Sequence, residues 1–382
     1  AIMGNMMWIL PPAEEARMSG SGALVMAGGT GGHVFPALAV ANALRDRGFP
    51  VTWMGTRTGL EARLVPEAGF PVEWVDVGGV RGKSAATRIA APLRIARAVS
   101  HAAGVIRRVN PAVVLGMGGF ASGPGGIAAW LTRRPLIVHE QNAIAGMTNK
   151  VLARFAARVL EAFPGSFPPS VRARAVGNPV RPEIAALAEP AVRLADRTGP
   201  VRLLVLGGSQ GALRINQLLP DALAGLDAGL RPEIRHQAGA LHHEAARAAY
   251  AAAGVAADVQ PFFADMADAY GWADLVFCRS GALTVSELAA AGLGSILVPF
   301  PAAVDDHQTL NARYLVDPGA ALLAPEHTLD PARVRSLLEP LLADRERLNT
   351  MAGIARGLAR PAALEEITGT CLEAGGMENA HG

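Results

Sequence analysis

Cysteine is nearly missing from the 382 residues: Cys278 and Cys371 stand far apart and without metal-ligand spacing. No disulfide framework can be built from them, which points to a reducing compartment, by default the cytoplasm. Charge is sparse as well, at 18%, and 35 Lys and Arg against 33 Asp and Glu leave a net charge of only +2, so nucleic acid is not expected as a partner. A membrane-spanning run is absent, because the longest uncharged stretch, 109–132, is interrupted by Pro111, Pro124 and several glycines. Residues 1–22 lack a basic start and a long apolar segment, so they read as a loose extension and not as a signal peptide. Acidic residues are missing altogether between Asp76 and Glu140, while nine Lys and Arg fall between Arg81 and Arg134. One surface of the first half should therefore be strongly positive.

Two nucleotide fingerprints are missing too. The apolar run 24–27 has the character of a strand buried on both faces, and it stops in Gly28-Gly-Thr-Gly-Gly-His33 before helical spacing sets in through 44. Glycines at 29 and 31 would need a third at 34, where Val34 stands, and the next strand, 51–54, ends in Gly55-Thr56 with no carboxylate for an adenosine ribose. NAD is not expected. The loop 78–84 would need a glycine at position 77 to bind phosphate as a Walker motif does, and Val77 is there instead.

What is present is a repeated scheme. The 51% hydrophobic content and the length suit two sizeable α/β cores. Strand-like runs at 71–77, 111–116 and 136–142 alternate with helical patterns at 60–68 and 85–108, and a second glycine-dense loop, 117–126, opens a helix through Trp130. After a polar, proline-bearing stretch the pattern restarts at 201–206, with further strands at 234–237, 274–278 and 295–299. The expected division is an extension at 1–22, a first domain at 23–180, a linker at 181–200, a second domain at 201–360 and a tail at 361–382. The predicted fold is α/β: two Rossmann-like, doubly wound domains facing across a cleft.

Several polar groups fall at the carboxyl ends of predicted strands, where parallel sheets bind ligands. Gly207-Gly-Ser-Gln-Gly211 offers helix-start amides and the Ser209 hydroxyl to a diphosphate. In Cys278-Arg-Ser-Gly-Ala-Leu-Thr-Val-Ser-Glu287, Ser280 can cap the helix and Glu287 can accept ribose hydroxyls. His307, Gln308 and Asn311 share a helical face suited to sugar hydroxyls, although a surface helix capped by Asp305 or Asp306 is the plain structural alternative. His33, where a helix begins, marks a site or is a histidine that caps or packs locally.

Taken in order from Leu24 to beyond Gly353, these motifs, with His139-Glu-Gln-Asn142 and Gly177-Asn-Pro-Val-Arg181, resemble the MurG family of glycosyltransferases. The resemblance implies the two-domain glycosyltransferase-B arrangement, with acceptor on the first domain and donor on the second. It implies inverting transfer of N-acetylglucosamine from UDP-N-acetylglucosamine to the C4 hydroxyl of undecaprenyl-diphosphoryl-N-acetylmuramoyl pentapeptide, at the cytoplasmic face of the bacterial plasma membrane. His33 would be the catalytic base. Donor contacts would come from Thr30, Gly31, Gly32, Asn142, Arg181, Ser209, Gln210, Gly211, the backbone at Phe263, Ser280, Ala282, Leu283, Thr284, Glu287, His307, Gln308 and Asn311. Gly118, Gly119, Ser122, Gly123, Gly125 and Gly126 would meet the acceptor, with Asn142 near its lipid diphosphate. His307 stands where some relatives carry glutamine. No cofactor and no metal are expected, helix-start amides serving the leaving diphosphate. The basic interval would hold the first domain against anionic lipid. Rival readings are a UDP-sugar epimerase, a transferase with another acceptor, and a nucleotide-sugar sensor, which would need neither His33 nor the acceptor loops.

Overall fold

The computed structural model describes residues 22–76, 85–207, 212–301, 303 and 306–377. The chain forms two compact units, one of residues 1–139, 147–160 and 365–382, the other of residues 140–146 and 161–364.

In chain order the first half runs β1 (Ala23–Met26), α1 (Gly31–Asp46), β2 (Val51–Gly55), α2 (Glu61–Glu67), β3 (Val72–Trp74), α3 (Ala85–Val109), β4 (Val113–Gly116), α4 (Ser122–Leu131), β5 (Leu136–Glu140), α5 (Met147–Leu152), β6 (Arg158–Glu161) and β7 (Arg174–Ala175). The sheet order is β3-β2-β1-β4-β5-β6-β7, with β1 to β5 paired in parallel. All four residues of β1 and of β4 are buried, the mark of strands covered on both faces. The order reverses between β1 and β4. Their carboxyl ends therefore open a crevice at a topological switch point.

The second half continues with α6 (Pro182–Ala185), α7 (Pro190–Arg193), β8 (Arg202–Leu206), α8 (Leu213–Ala224), β9 (Glu233–Gln237), α9 (His243–Ala252), β10 (Asp258–Gln260), α10 (Met266–Trp272), β11 (Leu275–Cys278), α11 (Ala282–Ala291), β12 (Gly294–Leu297), α12 (His307–Val316), β13 (Ala321–Leu323), α13 (Pro331–Leu342), α14 (Arg345–Gly357) and α15 (Ala363–Ala374). Its six strands are all parallel in the order β10-β9-β8-β11-β12-β13, so the switch point lies between β8 and β11. Asp265, Asp330 and Asp344 each cap a helix by accepting from a backbone N–H three residues on, at 2.7–2.9 Å.

The stretch 181–200 is tied down by arginine. Arg193 donates to the carbonyls of Ala291 and Gly292 at 2.7 and 2.9 Å, and Arg197 to those of Trp272 and Gly271 at 2.8 Å each. Cations are thus placed on the carbonyls at the ends of α10 and α11, which those helices leave unpaired. Burial pushes the Arg193 guanidinium down to about 10. The last helix, α15, belongs to the first unit, where Glu365 pairs with Arg47.

Candidate functional site

In the first unit, the turns after β1 and β4 meet around His33. A Cβ on Gly118 would lie 2.7 Å from His33 Nδ1, and one on Gly119 would fall 2.6 Å from the backbone nitrogen of Gly28. Both glycines adopt positive φ, 89° and 88°. Only glycine permits that backbone with so close an approach. Thr30 is exposed, Gly31, Gly32, His33, Gly119 and Gly123 are half-buried, and Gly118 lies beneath the imidazole.

The loop bearing His33 is set by a residue that sequence reading missed. Glu61, fully buried, accepts from Gly29 N at 2.9 Å, Thr56 N at 3.2 Å and Thr56 Oγ1 at 2.7 Å. Its place at the start of α2, just after a Gly-Thr turn, was the available signal.

Three of the expected acceptor residues make contacts inside the unit. The Ser122 hydroxyl is buried and lies 2.6 Å from the Gly118 carbonyl and 3.0 Å from that of Met26, so it ties two turns together. Gly125 is small because Met26 and Met54 fill the space a side chain would need, and Gly126 because Leu152 does. These glycines let α4 pack closely against β1, β2 and α5.

In the second unit, Glu287 is the centre. Its Oε1 accepts from Arg181 Nε at 3.1 Å and Nη2 at 2.8 Å, and its Oε2 from Tyr270 Oη at 3.1 Å. Burial pushes the Glu287 carboxyl up, and the Arg181 charge and the two sets of hydrogen bonds oppose that shift. Phe263 N donates to Gln237 Oε1 at 2.9 Å, so its amide is committed within the unit. Gln308 Oε1 accepts from Phe300 N at 2.9 Å, so that bond commits the oxygen of its amide and not the nitrogen. Arg279 braces that loop: it pairs with Glu326, donates to the Pro299 carbonyl at 3.3 Å, and lies 5.4 Å from the centre of the Phe300 ring.

Two more expectations change here. Gly281, not Ser280, is the N-cap of α11, and no side chain caps it. Ser280 is fully buried, with its hydroxyl unpartnered among the described residues. Asn311 is likewise fully buried, and its amide is committed: Nδ2 donates to Asn142 Oδ1 and to the Ser280 carbonyl, both at 3.3 Å, while Oδ1 accepts from Ala143 N at 2.7 Å. It ties Asn142 and Ala143 to the turn before α11. Asn142 is held further by Glu140 Oε1, 2.9 Å from its backbone nitrogen. Ala282, Leu283 and Thr284 form the first turn of α11, with Ala282 buried and the other two half-buried. His307 begins α12 and is half-buried. Ser209, Gln210 and Gly211 lie outside the described residues, as do Arg81, Lys83 and Asp305.

A cavity of about 790 Å³ in this unit is lined by Glu189, Leu194, Asn349 and Arg356 among others, and by Ala290 in the last turn of α11. That is the end of α11 remote from Gly281, so this hollow is not where the polar groups converge. Among the described residues no three His, Cys, Asp or Glu side chains could hold a metal ion.

Residues 23–161 match the glycosyltransferase family 28 N-terminal domain, and residues 202–367 match the corresponding C-terminal domain. The chain is 56% identical over 351 residues to the UDP-N-acetylglucosamine–N-acetylmuramyl-(pentapeptide) pyrophosphoryl-undecaprenol N-acetylglucosamine transferase of Marinobacter nauticus, covering 92% of this chain and 97% of the relative. It is 57% identical over 350 residues to the protein of the same name from Nitrosococcus oceani, covering 92% and 98%. The crystal structure of Acinetobacter baumannii MurG is similar at a TM-score of 0.83 and 41% identity, covering 92% of this chain and 99% of that one. The calicheamicin glycosyltransferase CalG4, at 20% identity and a TM-score of 0.63, shares the fold.

Proposed function

The chain belongs to glycosyltransferase family 28, and from that premise we propose that it transfers N-acetylglucosamine from UDP-N-acetylglucosamine to the lipid-linked muramyl pentapeptide, a step of peptidoglycan synthesis. The observation that carries this reading is the identity above one half, spread over nearly the whole chain and both domains, to transferases bearing that activity in their names.

The chemistry follows from the two sets of groups. On the acceptor side, His33 at the start of α1 takes the proton of the sugar C4 hydroxyl as its oxygen attacks the anomeric carbon. The new glycosidic bond forms as the bond to the UDP oxygen breaks in line, and the configuration inverts. On the donor side, the first-turn amides of α11 at Ala282, Leu283 and Thr284 face the departing diphosphate charge, as helix starts do. Glu287 and Arg181 read the nucleotide, the Phe263 carbonyl meets the base, and the Gln308 amide donates to a sugar oxygen. Gly118 and Gly119 hold the turn after β4 close against His33 and Gly28, and the half-buried Gly123 is the glycine of this loop with room for an acceptor diphosphate to approach.

The acceptor's polyprenyl chain places the reaction at a membrane surface. No helix among the described residues is long and apolar enough to cross one. The first unit instead carries exposed Leu93 and Ile95 on α3, Trp130 and Leu131 on α4, and Met147 and Val151 on α5, with exposed Arg94, Arg97, Arg107 and Arg133 alongside. Apolar side chains amid cations suit the anionic cytoplasmic leaflet.

The test is UDP release from UDP-N-acetylglucosamine with and without the lipid-linked muramyl pentapeptide. Acceptor-dependent release that falls at least about 100-fold in His33→Ala, with UDP binding retained, is expected. Donor binding by the wild type with no release in the presence of acceptor would overturn the transferase reading.

A further inference from the structure

The carboxylate given above to the nucleotide ribose has two holders of different kinds. Tyr270 is 1% exposed, packed in the core cluster with Met266, Val276 and Leu288, and its hydroxyl donates to Glu287 Oε2. Arg181 leaves 48% of its side chain exposed and loads both of its bonds onto Oε1. An ionised carboxylate accepts about four hydrogen bonds, so the contacts with Tyr270 and Arg181 take most of its capacity. Glu287 can receive two ribose hydroxyls only if one holder lets go. The tyrosine ring cannot leave without opening the core. The arginine, on a long solvated stem, can turn aside.

We propose that Tyr270 is a positioning residue for ribose recognition: its hydroxyl fixes Oε2 of Glu287, so that Oε1 is the oxygen at which ribose hydroxyls replace Arg181. This rests on the functional reading above, in which Glu287 binds ribose. Burial raises the Glu287 carboxyl, and with Arg181 turned aside the Tyr270 bond is what still favours its ionised, accepting form. Arg181, once released, is available to the nucleotide.

Tyr270→Phe removes one oxygen and keeps the buried ring, and a thermal melt checks that the fold is retained. Calorimetry would give the affinities of UDP and of 2′,3′-dideoxy-UDP for the wild type, Tyr270→Phe and Glu287→Gln. Loss of one hydrogen bond predicts that Tyr270→Phe weakens UDP about fivefold and leaves the dideoxy nucleotide unaffected. The same loss should appear in the donor KM and not in kcat. Equal weakening of both nucleotides would mean that Tyr270 only supports the fold, and would overturn the proposal. If Glu287→Gln itself fails to separate the two nucleotides, the ribose assignment falls and the proposal falls at its premise. If Glu287→Gln separates them and Tyr270→Phe does not, only the role of Tyr270 is lost.

Discussion

His236, at the end of β9, has both ring nitrogens engaged, with Nε2 3.0 Å from Asn216 Oδ1 and Nδ1 3.0 Å from the Tyr250 hydroxyl. Asn216 Nδ2 donates to the Ala238 carbonyl at 2.9 Å, so its Oδ1 faces the ring and Nε2 must carry the proton. The imidazole is neutral, and burial pushes it down to about 3. An unfolded chain would protonate the same group near pH 6.5. Between pH 6.5 and about 3 the unfolded state thus binds a proton that the folded state refuses, and stability falls as pH falls, by about 1.4 kcal/mol per unit. Above pH 6.5 the group contributes no slope. Urea unfolding at pH 7.5 and 5.5 should show this loss, and His236→Asn should be less stable at pH 7.5 but lack this component. An identical slope in the variant would exclude His236 as its origin. Other residues were legible to different degrees. His33 could be found because it ends a glycine-dense turn at a helix start, a local pattern, although Gly118, which makes room for its ring, lies far along the chain. Tyr270 could not, because its bond reaches Glu287 in another element, and Glu61 showed only its place after a Gly-Thr turn, since its bond to Gly29 spans 32 residues. Asn311 shows the converse: helical spacing says which residues share a face, but not whether that face meets ligand or core.

At the scale of elements, the central strands could be read because each is a continuous apolar run ending in a glycine turn. Edge strands such as β7, two residues long, carry too little pattern to announce themselves. The stretch 181–200 reads as polar linker, since nothing local reveals that Arg193 and Arg197 are spent on carbonyls 74 to 99 residues away. Helix α3 has the most specific consequence. Residues 92–97 are all exposed, with Leu93 77% accessible beside Arg94 and Arg97. Each arginine near an anionic surface adds about 1 kcal/mol, so Arg94→Ala with Arg97→Ala should weaken binding to phosphatidylglycerol vesicles about tenfold or more at low salt. Sedimentation with vesicles would measure it. Binding that is indifferent to both the double variant and added salt would rule this face out as the membrane contact.

At the scale of the whole molecule, the two halves repeat one strand order but are not built from equally contiguous chain. The first unit is completed by α15, whose Ile367, Thr368 and Cys371 are fully buried and whose Glu365 pairs with Arg47. Deleting 365–382 should destabilise this unit by about 3 kcal/mol or more, the cost of unfilling a core at several positions. Hydrogen exchange would locate the damage, with protection lost in 23–160 and retained in 202–357. Uniform loss, or none, would contradict the division into units.

The position of α15 also fixes an order of events during synthesis. The strands of the first sheet leave the ribosome early, but the helix that covers part of their unit is made only after all of the second unit. A nascent chain therefore carries an unfinished, partly uncovered first unit for most of its elongation, while the second unit can close as soon as α14 has emerged. The unit proposed above to meet lipid gains its covering helix only after its partner unit has been made.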